Sequence, residues 1–410
     1  MNKKFVPAYL LTFVNVLGFS ILMPILPFVV AHFGAPKWVY GFFITLYSSF
    51  QFIGAPILGK LSDQRGRKPI LLISQAGTLL SWIIFLAALY LPNIPIWGVA
   101  IPIIIIAVSR IIDGITGGNT SVANAYVADI TTRKEKSYIF GYLGGIAGLG
   151  MIVGPGLGGL AASTSLGYAG TLWVAIAVSV ITLIAILFWL QESHQPAATY
   201  NKRDNFSFAG SFNVFAKISG TNPGSTIKLL FLLKLIFSTM MAFYIGTIAL
   251  FLIDTFQFDE KELGLFMFVV GIFLSFNQAF LSKRVIKRFG EFNTLKIGLA
   301  CSFVGLLSIT LTDKLWLFIG CYYIMNLGLS LLFPTFNSLI SIHANPEKQG
   351  EILGISESIN SLAMALFPVL SAALYGFLEF RLYYVMCAMP LIGLLIAHLY
   401  GSKMITEELD

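Results

Sequence analysis

The sequence predicts an all-α membrane protein with twelve transmembrane helices in two pseudo-symmetric six-helix bundles. Hydrophobic residues make up 57% of the 410 residues and charged residues only 11%, against about 25% charged in an ordinary globular domain. The hydrophobic residues also fall in runs of about 20 or more, the length that crosses the core of a bilayer as a helix. Finally, the two halves of the chain repeat short features.

The runs identify the predicted helices in order. Twelve of them are consistent with spanning helices, over residues 6–31, 39–58, 70–91, 96–128, 138–162, 168–190, 228–253, 263–282, 295–312, 315–340, 351–377 and 382–401. The first run is too long for the apolar part of a signal peptide, so we interpret it as a retained helix. The composition excludes a soluble enzyme, a nucleic-acid binder and a secreted disulfide scaffold, because the few charged residues cannot cover a soluble surface.

The basic residues predict the orientation of these helices. An even number of spans places both termini on one side, and that side carries 20 Lys and Arg residues against four on the other. This bias predicts cytoplasmic termini. The two remaining basic residues, Arg110 and Lys234, lie within spans.

One long polar stretch divides the chain. We predict an N-terminal bundle over 1–191, a cytoplasmic linker over 192–227, a C-terminal bundle over 228–401 and a cytoplasmic tail over 402–410. The halves echo each other, since Gly66 after the second run corresponds to Gly290 after the eighth, and each is followed five residues later by a leucine. Two related six-helix halves are typical of transporters whose substrate site lies near the bilayer midplane.

The loop after the second run carries the first motif. It reads GKLSDQRGRK from Gly59 to Lys68, in which glycine permits a tight turn and the basic residues favour the anionic cytoplasmic face. This loop resembles the signature loop of the major facilitator superfamily, with Gln64 as a departure. The resemblance implies a charge cluster that latches the cytoplasmic gate, formed by Asp63, Arg67 and Asp129 with Gly66 and Lys68.

The fifth run carries the most specific motif, GLGMIVGPGLGG from Gly148 to Gly159. Glycines four residues apart lie on one helical face and permit another helix to approach closely, and packing alone explains a single such pattern. The full string resembles the motif of drug:proton antiporters within the superfamily. The motif residues are Gly150, Gly154, Pro155, Gly158 and Gly159.

The fourth run extends the resemblance to the tetracycline-efflux group of twelve-helix drug:proton antiporters. Arg110 and the sequence GITG from Gly114 to Gly117 are similar to a motif of that group. Tetracycline pumps carry acidic residues inside helices 1, 3 and 9, and the corresponding residues here are Asn15, Ser81 and Ser302, whereas Gln278 matches. We therefore do not predict a tetracycline pump.

Charged residues inside the runs are the primary candidates for function. Arg110 lies about 14 residues, or about 21 Å, into its run, and Asp113 follows at i+3 on the same face. A charge at this depth costs about 2.5–3.5 kcal/mol, so it faces a partner or a cavity. Asp113 is either the proton carrier or the structural counterion of Arg110.

Two further charged residues have alternative interpretations. Glu357 is a second proton or substrate site, or it is held by the hydroxyls of Ser356 and Ser358. Lys234 anchors acidic groups of a substrate, or it extends to the cytoplasmic interface. We predict proton coupling at Asp113, Arg110 and Glu357. The predicted substrate-binding residues are Arg110, Lys234, Asn15, Gln51, Tyr126, Tyr142, Gln278, Asn326 and Asn337.

The sequence thus predicts a proton-coupled secondary active exporter, an antiporter of small amphipathic compounds that are drug-like or organic-anion metabolites. It is expected to act as a monomer in the inner or plasma membrane, with a small molecule and protons as partners and no enzyme activity, nucleic acid, metal or cofactor. A dedicated exporter of one endogenous metabolite, such as a siderophore or lipid precursor, is the alternative. A non-transporting membrane receptor is the minor alternative.

Overall fold

The computed structural model describes residues 6–96, 98–132, 135–193, 221, 224–345 and 348–407, which are almost entirely helical. In the first half, the described residues form eight helices and one short hairpin. They are α1 (Val6–Ile21), α2 (Leu26–His32), α3 (Trp38–Arg65), α4 (Arg67–Leu89), β1 (Pro95–Ile96), β2 (Val99–Ala100), α5 (Ile101–Gly117), α6 (Thr120–Ile130), α7 (Lys136–Ala162) and α8 (Tyr168–Trp189).

In the described part of the second half there are seven helices and two short irregular helical segments. They are α9 (Ser225–Phe256), α10 (Glu260–Phe276), a π-helical segment (Asn277–Leu281), α11 (Ser282–Phe289), α12 (Glu291–Ile309), α13 (Leu315–His343), α14 (Gln349–Leu378), a 3₁₀ segment (Glu379–Arg381) and α15 (Leu382–Glu407).

The helices account for twelve membrane spans within the part of the chain that the structure describes. Ten helical stretches are long and apolar enough to cross a membrane, and the bent pair α1 and α2 makes eleven. One stretch, Gln349–Tyr400, is 52 residues long, far more than the roughly 20 residues that a single span needs. Its 3₁₀ segment separates α14 from α15, so it contains two spans. The all-α membrane fold predicted from the sequence is confirmed.

Two predicted spans differ in detail from the observed helices. The first is broken between Ile21 and Leu26 and bends by 42°, in a segment that contains Pro24, which lacks an amide hydrogen. The fourth begins at Ile101 and not at residue 96, because Pro95–Ile96 pairs with Val99–Ala100 in an antiparallel hairpin. Arg110 is therefore nine residues from the start of α5, about 14 Å along its axis, which still places it near mid-membrane.

The chain divides into two compact units, Met1–Phe206 with Phe258–Gly271, and Ser207–Gln257 with Ile272–Asp410. In the first unit, α1 packs on α7, and α4 packs on both α5 and α8. In the second unit the equivalent helices pack in the same way, since α9 packs on α14, and α12 packs on both α13 and α15. The boundaries of the predicted bundles stay a prediction, and most of the predicted linker lies outside the described residues.

The predicted echo between Gly66 and Gly290 has a conformational basis. Each glycine separates two helices and has a positive φ, +94° at Gly66 and +77° at Gly290, a conformation that L-residues with side chains rarely adopt. The leucines five residues later, Leu71 and Leu295, are both fully buried. The two loops therefore make the same turn at equivalent places in the two units.

Candidate functional site

An ion pair lies inside the membrane-spanning part of the first unit. The Nη1 atom of Arg110 donates to Oδ2 of Asp113 at 3.1 Å, one turn along α5. The side chains are only 4% and 5% exposed. The spacing of three residues brings the two groups onto one face of the helix, as the sequence predicted. Transferring both charges out of water carries a large desolvation penalty, which their attraction offsets only in part.

Aromatic rings complete the surroundings of Arg110. The guanidinium carbon lies 4.9 Å from the ring centre of Trp82 and 5.2 Å from that of Phe85, both on α4. These contacts are within the range of favourable cation–π interactions. The Nε and Nη2 atoms of Arg110 have no hydrogen-bond partner among the described residues. The guanidinium therefore retains donors that a substrate group, a water molecule or a displaced carboxylate could satisfy.

Two hydroxyl groups also lie near Asp113. Tyr47 of α3 is close enough to interact electrostatically with both Arg110 and Asp113. The hydroxyl of Ser81 lies beside Asp113 and donates to the carbonyl of Thr78 at 2.7 Å. Ser81 thus lies next to the carboxylate that α5 supplies.

A second polar group in this unit joins α1, α3 and the junction of α5 with α6. The Nδ2 atom of Asn15 donates to Oδ1 of Asn119 at 2.6 Å. Gln51 donates to the hydroxyl of Tyr47 at 3.2 Å and to the carbonyl of Gly117 at 3.3 Å. Asn119, which the sequence analysis did not single out, is fully buried, and its Nδ2 atom has no partner within the described part of the chain.

Among the described residues of the second unit, one lysine is buried, and it lies in α9. Lys234 is 4% exposed, and its ammonium group lies 5.7 Å from the ring centre of Phe237 and 5.6 Å from that of Phe336 on α13. Glu357 on α14 is exposed and acts on Lys234 electrostatically. The hydroxyl of Ser358 donates to the carbonyl of Gly354, so it is not committed to Glu357.

Other predicted binding residues have different surroundings. Tyr126 is packed inside the hydrophobic core of the first unit, whereas Tyr142 is exposed. In the second unit Asn326 is buried, Gln278 is half-buried in the π-helical segment and Asn337 is exposed. The five residues therefore differ in their exposure within each unit. Irregular π-helical turns are frequent at functional sites, and sequence spacing gave no signal for this one.

The predicted gate residues form a charge cluster. Arg67 donates from Nη1 to Oδ1 of Asp63 at 2.5 Å and from Nε to Oδ2 of Asp129 at 3.0 Å. Its side chain is buried, and Nη1 also donates to the hydroxyl of Ser62 at 2.6 Å. Lys68 instead donates from Nζ to the carbonyl of Leu187 at 2.9 Å. One arginine therefore links the ends of α3, α4 and α6.

Glu192 belongs to this cluster and was missed by the sequence analysis. Its two carboxylate oxygens accept from the backbone N–H groups of Arg67 at 2.8 Å and Lys68 at 3.0 Å. These are the first amides of α4, which have no partner within the helix and carry partial positive charge. A side chain at Gly66 would collide with this carboxylate. No local pattern in the sequence indicates that residue 192 returns to residue 67.

The glycines of the antiporter-like motif bring α7 close to its neighbours. A methyl group at Gly150 would meet the carbonyl oxygen of Phe13 at 2.8 Å, and Gly154 and Gly158 are similarly close to Ser20 and Ile21. All three glycines face α1, as expected for a stripe with four-residue spacing. The other motif residues face α10. Gly159 and the carbonyl of Pro155 lie against Gly264.

The described part of the chain contains no group of three or more His, Cys, Asp or Glu side chains arranged to hold a metal ion.

Comparisons with known proteins relate the chain to membrane transporters. A family model described as the Major Facilitator Superfamily matches residues 8–368. A tetracycline resistance protein, class H, of Pasteurella multocida is 28% identical over 92% of this chain and 90% of the relative. Major facilitator superfamily domain-containing protein 10 of Bos taurus is 27% identical over 84% and 74%. The crystal structure of the human organic anion transporter MFSD10 shares the fold, with a TM-score of 0.69 at 21% identity over 96% of this chain and 99% of that one.

Proposed function

Because the chain belongs to the major facilitator superfamily, it is a multi-pass membrane transporter and not an enzyme, and we propose that it is a proton-coupled exporter of small amphipathic compounds. The proposed substrates are drug-like molecules or organic-anion metabolites, and transport proceeds by alternating access in the plasma membrane. The similarity to tetracycline resistance proteins supports export. We further propose that the protein acts as a monomer with both termini in the cytoplasm, in agreement with the distribution of basic residues.

The ion pair of Arg110 and Asp113 carries this proposal. Replacing a buried ion pair by apolar side chains is often neutral or stabilising, so such a pair is weak evidence for a purely structural role. A transporter that uses a proton gradient needs a group whose protonation differs in free energy between two states. Asp113 is such a group, because a proton on its carboxylate removes the ion pair with Arg110.

Exchange follows if the intact pair holds one conformation and each ligand breaks it. A proton bound to Asp113 breaks the pair by neutralising the carboxylate. A substrate breaks it by drawing either partner into a new contact, and the unpartnered Nε and Nη2 atoms of Arg110 are available for that. If either event alone permits reorientation, the empty protein does not reorient and the two ligands are not bound together, protons and substrate move in opposite directions.

Proton movement in proteoliposomes tests the proposal. Purified protein is reconstituted with a pH-sensitive dye inside, and a gradient of one probe is imposed: tetracycline, ethidium or 1-naphthalenesulfonate, which differ in charge. We expect at least one probe to drive proton movement in the opposite direction. The control variant Lys228→Gln changes an exposed lysine near the start of α9 and should behave as wild type. If none of the probes moves protons, the proposed coupling is wrong for these substrate classes.

Glu357 is the second proposed coupling residue, and the same assay ranks it against Asp113. Its carboxylate is exposed in the second unit, whereas Asp113 is paired and buried. We expect Glu357→Gln to reduce proton movement driven by the active probe less than Asp113→Asn does. If Glu357→Gln lost proton movement completely while Asp113→Asn kept it, Glu357 and not Asp113 would be the primary coupling residue.

A further inference from the structure

Lys234 is a buried cation that takes no part in the ion pair of Arg110 and Asp113. It lies nine residues into α9, and within the described ranges no carboxylate approaches its ammonium group within 4 Å, and no hydrogen bond to it is present. A lysine that extends to the membrane interface exposes its ammonium group to water. Lys234 is 4% exposed, so this alternative from the sequence analysis does not describe it.

The surroundings of Lys234 stabilise the charge only in part. The ring of Phe237 stacks on that of Phe336 at 5.3 Å and meets that of Phe333 edge-on at 5.2 Å. Two of these rings lie beneath the ammonium group. Ring faces attract a cation but accept no strong hydrogen bond, and an ammonium group has three N–H donors. The three phenylalanines, which we call the phenylalanine seat, therefore accept no strong hydrogen bond from the ammonium group of Lys234. Its N–H donors remain for a further ligand.

Glu357 adds a charge near this seat without pairing with it. It interacts electrostatically with Lys234, yet it is exposed and lies beyond ion-pair distance. A carboxylate at this distance lowers the local positive potential and repels a second anion. An anion bound to Lys234 is therefore held less tightly than it would be in the absence of Glu357.

We propose that Lys234 and its phenylalanine seat form a binding subsite for the acidic group of an organic anion with an aromatic or apolar body. This inference names a substrate class for the proposed exporter and in that sense rests on it. The ammonium group binds the carboxylate or sulfonate, and Glu357 weakens that binding by repulsion.

Equilibrium dialysis with two matched probes tests the subsite. The probes are 1-naphthalenesulfonate, which is an anion at every pH of interest, and 1-naphthalenesulfonamide, which has the same aromatic body without the charge. We expect wild type to bind the sulfonate more tightly than the sulfonamide. Lys234→Met should weaken sulfonate binding at least about tenfold and leave sulfonamide binding unchanged. Glu357→Gln should strengthen sulfonate binding about threefold, because a repelling charge is removed.

Two further variants control the measurement. Lys228→Met removes an exposed charge six residues earlier on α9 and should bind both probes as wild type. Lys234→Arg keeps the charge and should retain most sulfonate binding, which distinguishes a lost subsite from a misfolded protein. Equal sulfonate binding by wild type and Lys234→Met would overturn the proposal, as would a preference of wild type for the sulfonamide or no sulfonate binding at all.

Binding is measured without a proton gradient, so the outcome separates this proposal from the proposed function. A protein that binds sulfonate through Lys234 but moves no protons would keep the subsite and reject proton coupling. A protein that exchanges protons but binds sulfonate equally well without Lys234 would keep proton coupling and reject the subsite.

Discussion

At the scale of single residues, the sequence predicted which charged residues lie inside the spans, but it predicted only some of their contacts. Arg110 and Asp113 could be paired in advance, because residues three apart share a helical face. The contact of Arg67 with Asp129 rested on a resemblance, and the contact of Glu192 with the start of α4 was not foreseen. The difference is physical. Helical periodicity relates residues within one helix, whereas contacts between distant segments depend on how the helices pack.

The position of Ser81 leads to a test of the ion pair by relocation. Its hydroxyl lies beside Asp113, so a carboxylate at residue 81 should reach the guanidinium of Arg110. We expect Asp113→Ser to lose proton-driven uptake of the active probe. The double variant Ser81→Asp with Asp113→Ser should recover at least about a tenth of the wild-type uptake. A tenfold loss corresponds to about 1.4 kcal/mol, which is the cost that we allow for a less favourable geometry of the new pair.

The single variant Ser81→Asp controls this relocation. It places two carboxylates beside one arginine and should itself reduce uptake, because like charges at this distance repel. If the double variant is as inactive as Asp113→Ser while remaining folded, the location of the carboxylate matters in a way that pairing with Arg110 does not explain.

At the scale of the helix, the glycines of α7 determine how closely α1 approaches. Spacing alone indicated which glycines share a face, and the structure identifies α1 as the neighbour of Gly150, Gly154 and Gly158. Spacing could not identify that neighbour. The start of α5 at Ile101 was likewise hidden, because an apolar hairpin and an apolar helix have the same composition and differ only in backbone pairing.

A pair of glycine substitutions in α7 tests this packing. A methyl group at Gly158 would collide with the backbone carbonyl of Ile21, whereas one at Gly148 would meet nothing within 4 Å. We expect Gly158→Ala to destabilise the protein by about 1–3 kcal/mol, since backbone atoms cannot move aside as a side chain can. Gly148→Ala should be neutral or slightly stabilising, because alanine favours helix. Thermal unfolding in detergent measures both, and equal melting temperatures would contradict the close approach.

At the scale of the whole molecule, hydropathy predicted the all-α membrane fold that is observed. Runs of apolar residues gave the number of spans, because a helix in lipid must satisfy its own backbone hydrogen bonds. The repeated helix pairing in the two units, α1 with α7 and α9 with α14, was indicated only by the short echo between Gly66 and Gly290. Substrate identity leaves a weaker trace, because a few side chains determine it on a fold that many functions share.

The orientation of the chain in the membrane is a prediction at this scale. In a cysteine-free background, Lys314→Cys replaces a residue in the loop before α13, and Lys287→Cys replaces one in α11. We expect a membrane-impermeant maleimide added to intact cells to label residue 314 and not residue 287, because basic residues concentrate on the cytoplasmic side. Labelling of residue 287 alone would place the termini outside.

The most direct test of the central claim compares two activities of one variant. Proton-driven uptake and equilibrium exchange of the same probe are measured in proteoliposomes with wild type and Asp113→Asn, after both are shown to be folded by size exclusion. If Asp113 carries the coupled proton, the variant should lose proton-driven uptake and keep equilibrium exchange, which requires substrate movement without a proton. Proton-driven uptake equal to that of wild type, or equal loss of both activities, would contradict the assignment.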